Sequence, residues 1–300
     1  MTEKKNFNAY LALFSIYIIW GTTYLAIRIG VTDLPPVLFT GFRWLVAGPL
    51  FMGLLLLRKY KLPTKNDWLH LGISGLLLLG GGNGLVVFAE QWVPSGLTAL
   101  LITTTPFWVV GMESLLPQGK RINFFTAMGL MLGLAGVAMI FGGDFHKLFD
   151  KSYFGGIIGL MCAEVCWAAG TLYSKHKKVS VHPLMGAAGQ MVFAGVVITI
   201  FGLLLGEANQ FHFTNSSFLA YLYLVVFGSL LGYGSYVYAI AHLPVSLVST
   251  YAYVNPIIAL FLGWLVLDEP ISIWVVIASV VILAGVTFVK KGSEQSSSAR

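Results

Sequence analysis

The chain has 300 residues, 57% of them hydrophobic and only 10% charged, with a formal net charge of +6 and a mean hydropathy of +0.82. Water-soluble domains carry about 25% charged residues to solvate their surfaces, so this composition excludes a chain that faces water on all sides. It also excludes nucleic-acid binding, because the basic excess has no soluble face on which to gather.

Lipid accounts for the missing charge. A helix needs roughly 20 apolar residues to cross a hydrocarbon core of about 30 Å, and ten such stretches follow one another along the sequence. They run from Ala9 to Gly30, Val37 to Leu57, Trp68 to Ala89, Ser95 to Leu116 and Phe124 to Phe141, then from Tyr153 to Ser174, Leu184 to Leu205, Phe218 to Ala239, Val245 to Leu267 and Ser272 to Val289. The stretches are continuously apolar and about twice the length of a barrel strand, which points to helices. The predicted class is an all-α membrane protein. The first stretch follows Lys4 and Lys5 but is too long for the core of a cleaved signal, so it is read as a retained span. Cys162 and Cys166 lie inside the sixth stretch and read as small packing residues, with neither a disulfide nor a metal site expected.

Fourteen of the 18 Lys and Arg residues fall on one side if the N-terminus is cytoplasmic: Lys4, Lys5, Arg58, Lys59, Lys61, Lys65, Lys120, Arg121, Lys175, Lys177, Lys178, Lys290, Lys291 and Arg300. Only Lys147 and Lys151 fall opposite, beside Asp144 and Asp150, while Arg28 and Arg43 lie within spans. By the positive-inside rule both termini are cytoplasmic, and residues 290–300 form a tail without expected structure.

The sequence also repeats. At an offset of 147, Trp20 meets Trp167, Arg28 meets Lys175, Pro36 meets Pro183 and Ala47-Gly48 meets Ala194-Gly195. At 150, Gly82 meets Gly232, Gly84 meets Gly234, Pro94 meets Pro244 and Pro106 meets Pro256; at 149, Ala135-Gly136-Val137 meets Ala284-Gly285-Val286. Each half holds five spans, so the second half enters the membrane from the other side. The predicted architecture is ten transmembrane helices formed by two inverted five-helix repeats, an arrangement common in secondary transporters and shared by some channels.

The stretches IIWGTTYLAIRIG (18–30), FRWLVAG (42–48) and STYAYVNPIIALFLGWLVLDEP (249–270), with Pro35-Pro36 between the first two, resemble the EamA family of the drug/metabolite transporter superfamily, and within it the PecM/YedA-type exporters. The resemblance covers all ten spans, with the two repeats at 10–141 and 153–289. It implies a multi-pass carrier of the bacterial inner membrane that exports amino acids, related metabolites or toxic compounds. The first repeat departs from it, with Gln118-Gly119-Lys120 where the second has Asp268-Glu269-Pro270.

Candidate site residues are the polar groups stranded in apolar spans. Pro106 and Pro256 sit near the middle of the fourth and ninth spans, where each frees a carbonyl four residues earlier, which makes them hinge or gate candidates. Thr103, Thr104, Thr105 and Asn255 are adjacent, placed either to bind a solute or to satisfy that backbone. Arg43, about seven residues into the second span, needs a cavity or a partner; its repeat mate is Gln190. Glu164, deep in the sixth span, can exchange a proton, hold an amine, pair with Arg43 or pack as a neutral group. Tyr251 and other aromatics, among them Trp20, Tyr24, Trp44 and Trp167, are candidates for a solute path or for packing. Glu90, Glu113, Arg28 and Lys175 lie near span ends, where side chains reach water.

The run Gly80-Gly81-Gly82-Asn83-Gly84 lacks the Lys-Ser or Lys-Thr of a phosphate loop and sits in an apolar span, so it reads as helix packing. No Walker A pattern or HExxH occurs, and neither a cofactor nor enzyme activity is expected. The resulting expectation is a secondary transporter for a small-molecule substrate working by alternating access in the lipid bilayer, with protons as a candidate coupling ion and a homodimer left open. The rival readings are a multidrug exporter, a channel and a membrane scaffold.

Overall fold

In lipid the backbone must satisfy its own hydrogen bonds, and helices result. The computed structural model describes residues 2–115, 123–140, 150–177, 179–243, 248 and 251–298, and these contain no strand. Pro244, the Gln118-Gly119-Lys120 turn, Arg121, Asp144, Lys147, Lys178 and Arg300 lie outside the described residues.

The helices are α1 (Thr2–Asp33), α2 (Pro36–Leu57), α3 (Lys65–Ala89), α4 (Ser95–Ile102), α5 (Thr105–Ser114), α6 (Phe124–Ile140), α7 (Lys151–His176), α8 (Pro183–Leu204), α9 (Asn215–His242), α10 (Tyr251–Leu267) and α11 (Ile273–Ser298). Seven spans in this set are long and apolar enough to cross a membrane, α4 and α5 counting as one, and shorter apolar helices cover Phe124–Gly133, Val254–Leu267 and Ile273–Val289. Large apolar side chains such as Leu54, Leu57, Ile200, Phe201 and Leu204 are exposed, whereas Arg43, Glu164, Gln190 and Asn255 are buried. That distribution suits a bundle whose outer face meets lipid and whose polar groups turn inward.

Two pairs dominate the packing, α2 on α8 and α6 on α11. Glycine permits the first. A β-carbon added at Gly48 would stand 2.6 Å from Val192 N, and one at Gly195 would overlap the Leu45 amide, so the two backbones are in direct contact. Around this pair α1 lies against α9 and α10, and α7 lies against α3.

Two features depart from the sequence reading. The middle of α3 (Leu76–Asn83) and of α9 (Leu224–Tyr233) is π-helical, and these wide turns stand at corresponding places under the 150-residue offset. The tail expected to lack structure from 290 continues α11 to Ser298. Asn123 Nδ2 donates to Gly292 O at 2.8 Å and Lys291 lies over the Phe125 ring, which ties this extension to the start of α6.

Gly48 and Gly53 lie on one helix but in opposite surroundings, since a β-carbon at Gly53 meets nothing within 4 Å. Gly48→Val should destabilise the protein by about 1–3 kcal/mol through overpacking. Gly53→Ala should be neutral or stabilising, by up to ~1 kcal/mol from helix propensity. Thermal unfolding in detergent, followed by size-exclusion chromatography, reads both.

Candidate functional site

Pro106 has no N–H, so the Ile102 carbonyl loses the donor that a continuous helix would supply. The chain breaks there: α4 ends at Ile102, Thr103 and Thr104 form a turn, and α5 begins with Pro106 in its first turn. Three hydroxyls donate to carbonyls at the break. Thr103 Oγ1 donates to Leu100 O at 2.7 Å, Thr104 Oγ1 to Leu101 O at 2.8 Å and Thr105 Oγ1 to Ile102 O at 2.7 Å. Pro256, the repeat mate, lies inside α10 without interrupting it after Tyr251. The adjacent Asn255 amide, oriented with its nitrogen toward two carbonyls, donates to Tyr251 O at 3.2 Å and to Tyr17 O on α1 at 3.0 Å.

Beside the break lies a partly open cavity. Its wall includes Arg43 from α2, Glu164 and Trp167 from α7, Trp20 and Tyr24 from α1, and Asn83 from α3, with Thr105 and Tyr251 at the broken helix and α10. Of the candidates read from sequence, the structure thus brings Arg43, Glu164, Thr105 and Tyr251 to one cavity. Thr104, Gln190, Asn255 and the two prolines are not part of its wall.

The π turns hold Arg43 in place. Its Nε donates to Ser229 Oγ at 2.8 Å and its Nη1 to Asn83 Oδ1 at 3.4 Å, while the guanidinium lies 4.3 Å from the Trp44 ring centroid. Ser229 is itself braced by donating to Leu224 O, five residues back, at 3.0 Å. Gln190 forms the matching bridge, donating to Ser74 Oγ at 2.8 Å and accepting from Tyr233 OH at 2.7 Å. Arg43 and Gln190 therefore each join α3 to α9, from α2 and α8 respectively. Arg43 thus finds its partners in side-chain oxygens.

Glu164 is buried, with the Thr105 hydroxyl in reach of its carboxyl. Its Oε2 has no hydrogen-bond partner among the described residues. No ion pair joins it to Arg43; the described ion pair is Lys175 with Glu113, at 2.8 Å. The cavity thus presents a fixed cation and a separate carboxyl to whatever enters. Trp20 packs on Trp167, Tyr236 and Tyr251 with ring centroids 5.6, 5.0 and 5.3 Å apart, which forms an aromatic wall next to Glu164.

Sequence reading missed Asn83 and Ser229. Asn83 was visible as the one amide in the glycine run, and Ser229 as one of two serines in an apolar span, but only the π turns reveal that both face Arg43. Glu90 was expected to reach water and is instead fully buried, because α1 and α7 close over the end of α3.

Comparison with known proteins gives a consistent result. The sequence model of the EamA-like transporter family matches residues 7–142 and again 154–290. The inner membrane transporter YedA of Escherichia coli (strain K12) is 39% identical over 253 residues, which cover 84% of this chain and 80% of that protein. The transporter YoaV of Bacillus subtilis (strain 168) is 28% identical over 278 residues, 92% of this chain and 94% of that one. A solved crystal structure superposes with a TM-score of 0.69 at 22% identity, over 94% of this chain and 96% of the other, and so shares its fold.

Thr105→Val should leave the Ile102 carbonyl without its donor and cost about 1–3 kcal/mol. In a Pro106→Ala background the new N–H can take that carbonyl, so the same substitution should cost less. A double-mutant cycle on thermal stability measures the difference.

Proposed function

The chain belongs to the EamA-like transporter family, and we propose that it is a secondary transporter exporting a small zwitterionic metabolite, an amino acid or a close derivative, by alternating access. It is a multi-pass membrane protein of a transporter family, with relatives in the inner membrane. The finer reading rests on one observation: Arg43 and Glu164 line the same cavity without pairing.

Arg43 offers a solute carboxylate the planar donors of its guanidinium. Two of its nitrogens are engaged by Ser229 and Asn83, while Nη2 lies alongside Gly228 at the cavity wall. Glu164 offers an ammonium group its unpartnered oxygen, with Trp20, Trp167 and Tyr251 supplying aromatic faces. When the ammonium leaves, the carboxyl can take a proton in its place, so that proton and solute exchange at one group.

In this reading ten spans form two inverted repeats, 10–141 and 153–289, which exchange conformations about the cavity. Support comes from the doubled family match, the paired π turns in α3 and α9 and the matched bridges of Arg43 and Gln190. Pro106 and Pro256 serve as the hinges. Both termini lie in the cytoplasm of a bacterial cell; a C-terminal reporter active only outside would refute that orientation.

Flux in proteoliposomes tests the substrate class. For an amino acid, Arg43→Gln and Glu164→Gln should each reduce counterflow by at least about tenfold, the loss of one charge-assisted hydrogen bond. Glu164→Gln should also abolish the response to a pH gradient. Size-exclusion profiles verify that each variant is folded. A cationic drug as the true solute would leave Arg43→Gln harmless or improved, and a channel would show no saturable counterflow.

A further inference from the structure

Glu90 follows the last residue of α3 and is not part of the cavity wall, and its surroundings are unusual. The residue is 0% exposed, and neither carboxyl oxygen has a hydrogen-bond partner among the described residues. The cation within electrostatic reach is Arg28 on α1, but its Nη1 donates to the backbone carbonyl of Glu90 and not to the carboxyl. From the segment after α10 the facing group is Glu269. That carboxylate is already satisfied by Ser95 N at 2.8 Å, Ser95 Oγ at 2.9 Å and Gly96 N at 3.2 Å at the start of α4. Tyr24, also on α1, lies within electrostatic reach of both Glu90 and Glu164. On α7 the neighbour is Gly156, against Ala89 O and Val93.

An ionised carboxylate stripped of water and of every donor is strongly disfavoured relative to a neutral carboxyl in the same place. A second anion, Glu269, stands close by, which adds to that cost. The closed packing around Glu90 is therefore compatible with the protonated form. If α3 and α4 part at this end, water reaches Glu90, Arg28 is positioned to pair with it, and the ionised form becomes the stable one.

We propose that Glu90 is a proton-binding site that must be loaded from solvent for the Glu269 end of the bundle to close. One proton moves from water to the carboxylate on closing and returns on opening. Glu90 thereby adds a second proton-exchanging carboxyl to Glu164, with Tyr24 within electrostatic reach of both. The inference rests on the transporter reading for its role in a cycle, but the site itself requires no solute.

The test uses the full chain without substrate. A hydrophobic carbodiimide attacks protonated carboxyls in apolar surroundings, and peptide mass spectrometry locates the adduct. Glu90 should be labelled near neutral pH, with labelling falling as pH rises, while Asp33 and Glu269 remain unlabelled. In a second measurement, an Ile27→Cys reporter at the cavity wall is reacted with a membrane-impermeant maleimide added from the Glu269 side. Labelling should be several-fold greater at about pH 9 than at about pH 5, because loss of the proton favours the open end. Glu90→Gln, a mimic of the protonated form, should hold labelling at the low-pH level throughout. The proposal is overturned if Glu90 takes no carbodiimide while Glu164 does, or if the reporter's pH dependence is absent or survives Glu90→Gln. Loss of amino-acid counterflow with these readouts intact would instead count against the zwitterion reading.

Discussion

The interior depends on the way one guanidinium is held. Arg43 sits where a charge in lipid is costly, and it is tolerated because two helices each supply an oxygen, Asn83 from α3 and Ser229 from α9. An ordinary α-helical turn would not leave these groups in the same register. The π turns insert extra residues at Leu76–Asn83 and Leu224–Tyr233, widening the helix so that side chains turn inward. Close contact between α2 and α8 through Gly48 and Gly195 then sets Arg43 and Gln190 at similar depth, and each residue spans the gap from α3 to α9. Packing, helix geometry and polar chemistry are thus one arrangement, and the cavity is the space beside it.

The same economy governs the helix ends, where the first N–H groups of each helix need acceptors. Glu207, beyond α8, accepts from Val37 N and Leu38 N at the start of α2. Glu269, beyond α10, does so for α4. Each carboxylate caps a helix belonging to the other half of the sequence, so the caps also hold the halves together. Their charge suits the positive end of the helix dipole.

Much of this was readable from the sequence. Length and hydropathy disclosed the apolar helices, because lipid permits little else. The break at Pro106 followed from a missing N–H, and the three threonines before it turned out to serve the backbone, with Thr105 also facing the cavity. Arg43 and Glu164 stood out because charge is rare in such spans. What was not legible depended on three dimensions. A π turn has no simple composition signal, and the glycine run that accompanies one of them reads equally well as packing. Glu90 looked like a span-end residue by position, and only the helices folded over it make it buried.

The two ends of the bundle carry related but unequal latches. Asp67 and Ser217 correspond at an offset of 150, as do Asp33 and Ser180 at 147. At one end Asp67, 3% exposed, accepts from Ser180 N at 2.8 Å and Ser180 Oγ at 2.6 Å while completing a capping box with Thr64. At the other, the acid has moved to the opposite partner: exposed Asp33 accepts from Thr214 Oγ1 at 2.6 Å, beside the capping box of Thr214 and Ser217. Opening the first end strips a buried carboxylate of its donors from Ser180, whereas opening the second breaks one hydrogen bond that water can replace. Matching backbones therefore do not make matching ends. The Asp67 end is held by a buried carboxylate, and at the other end Glu269 caps α4 beside the buried Glu90.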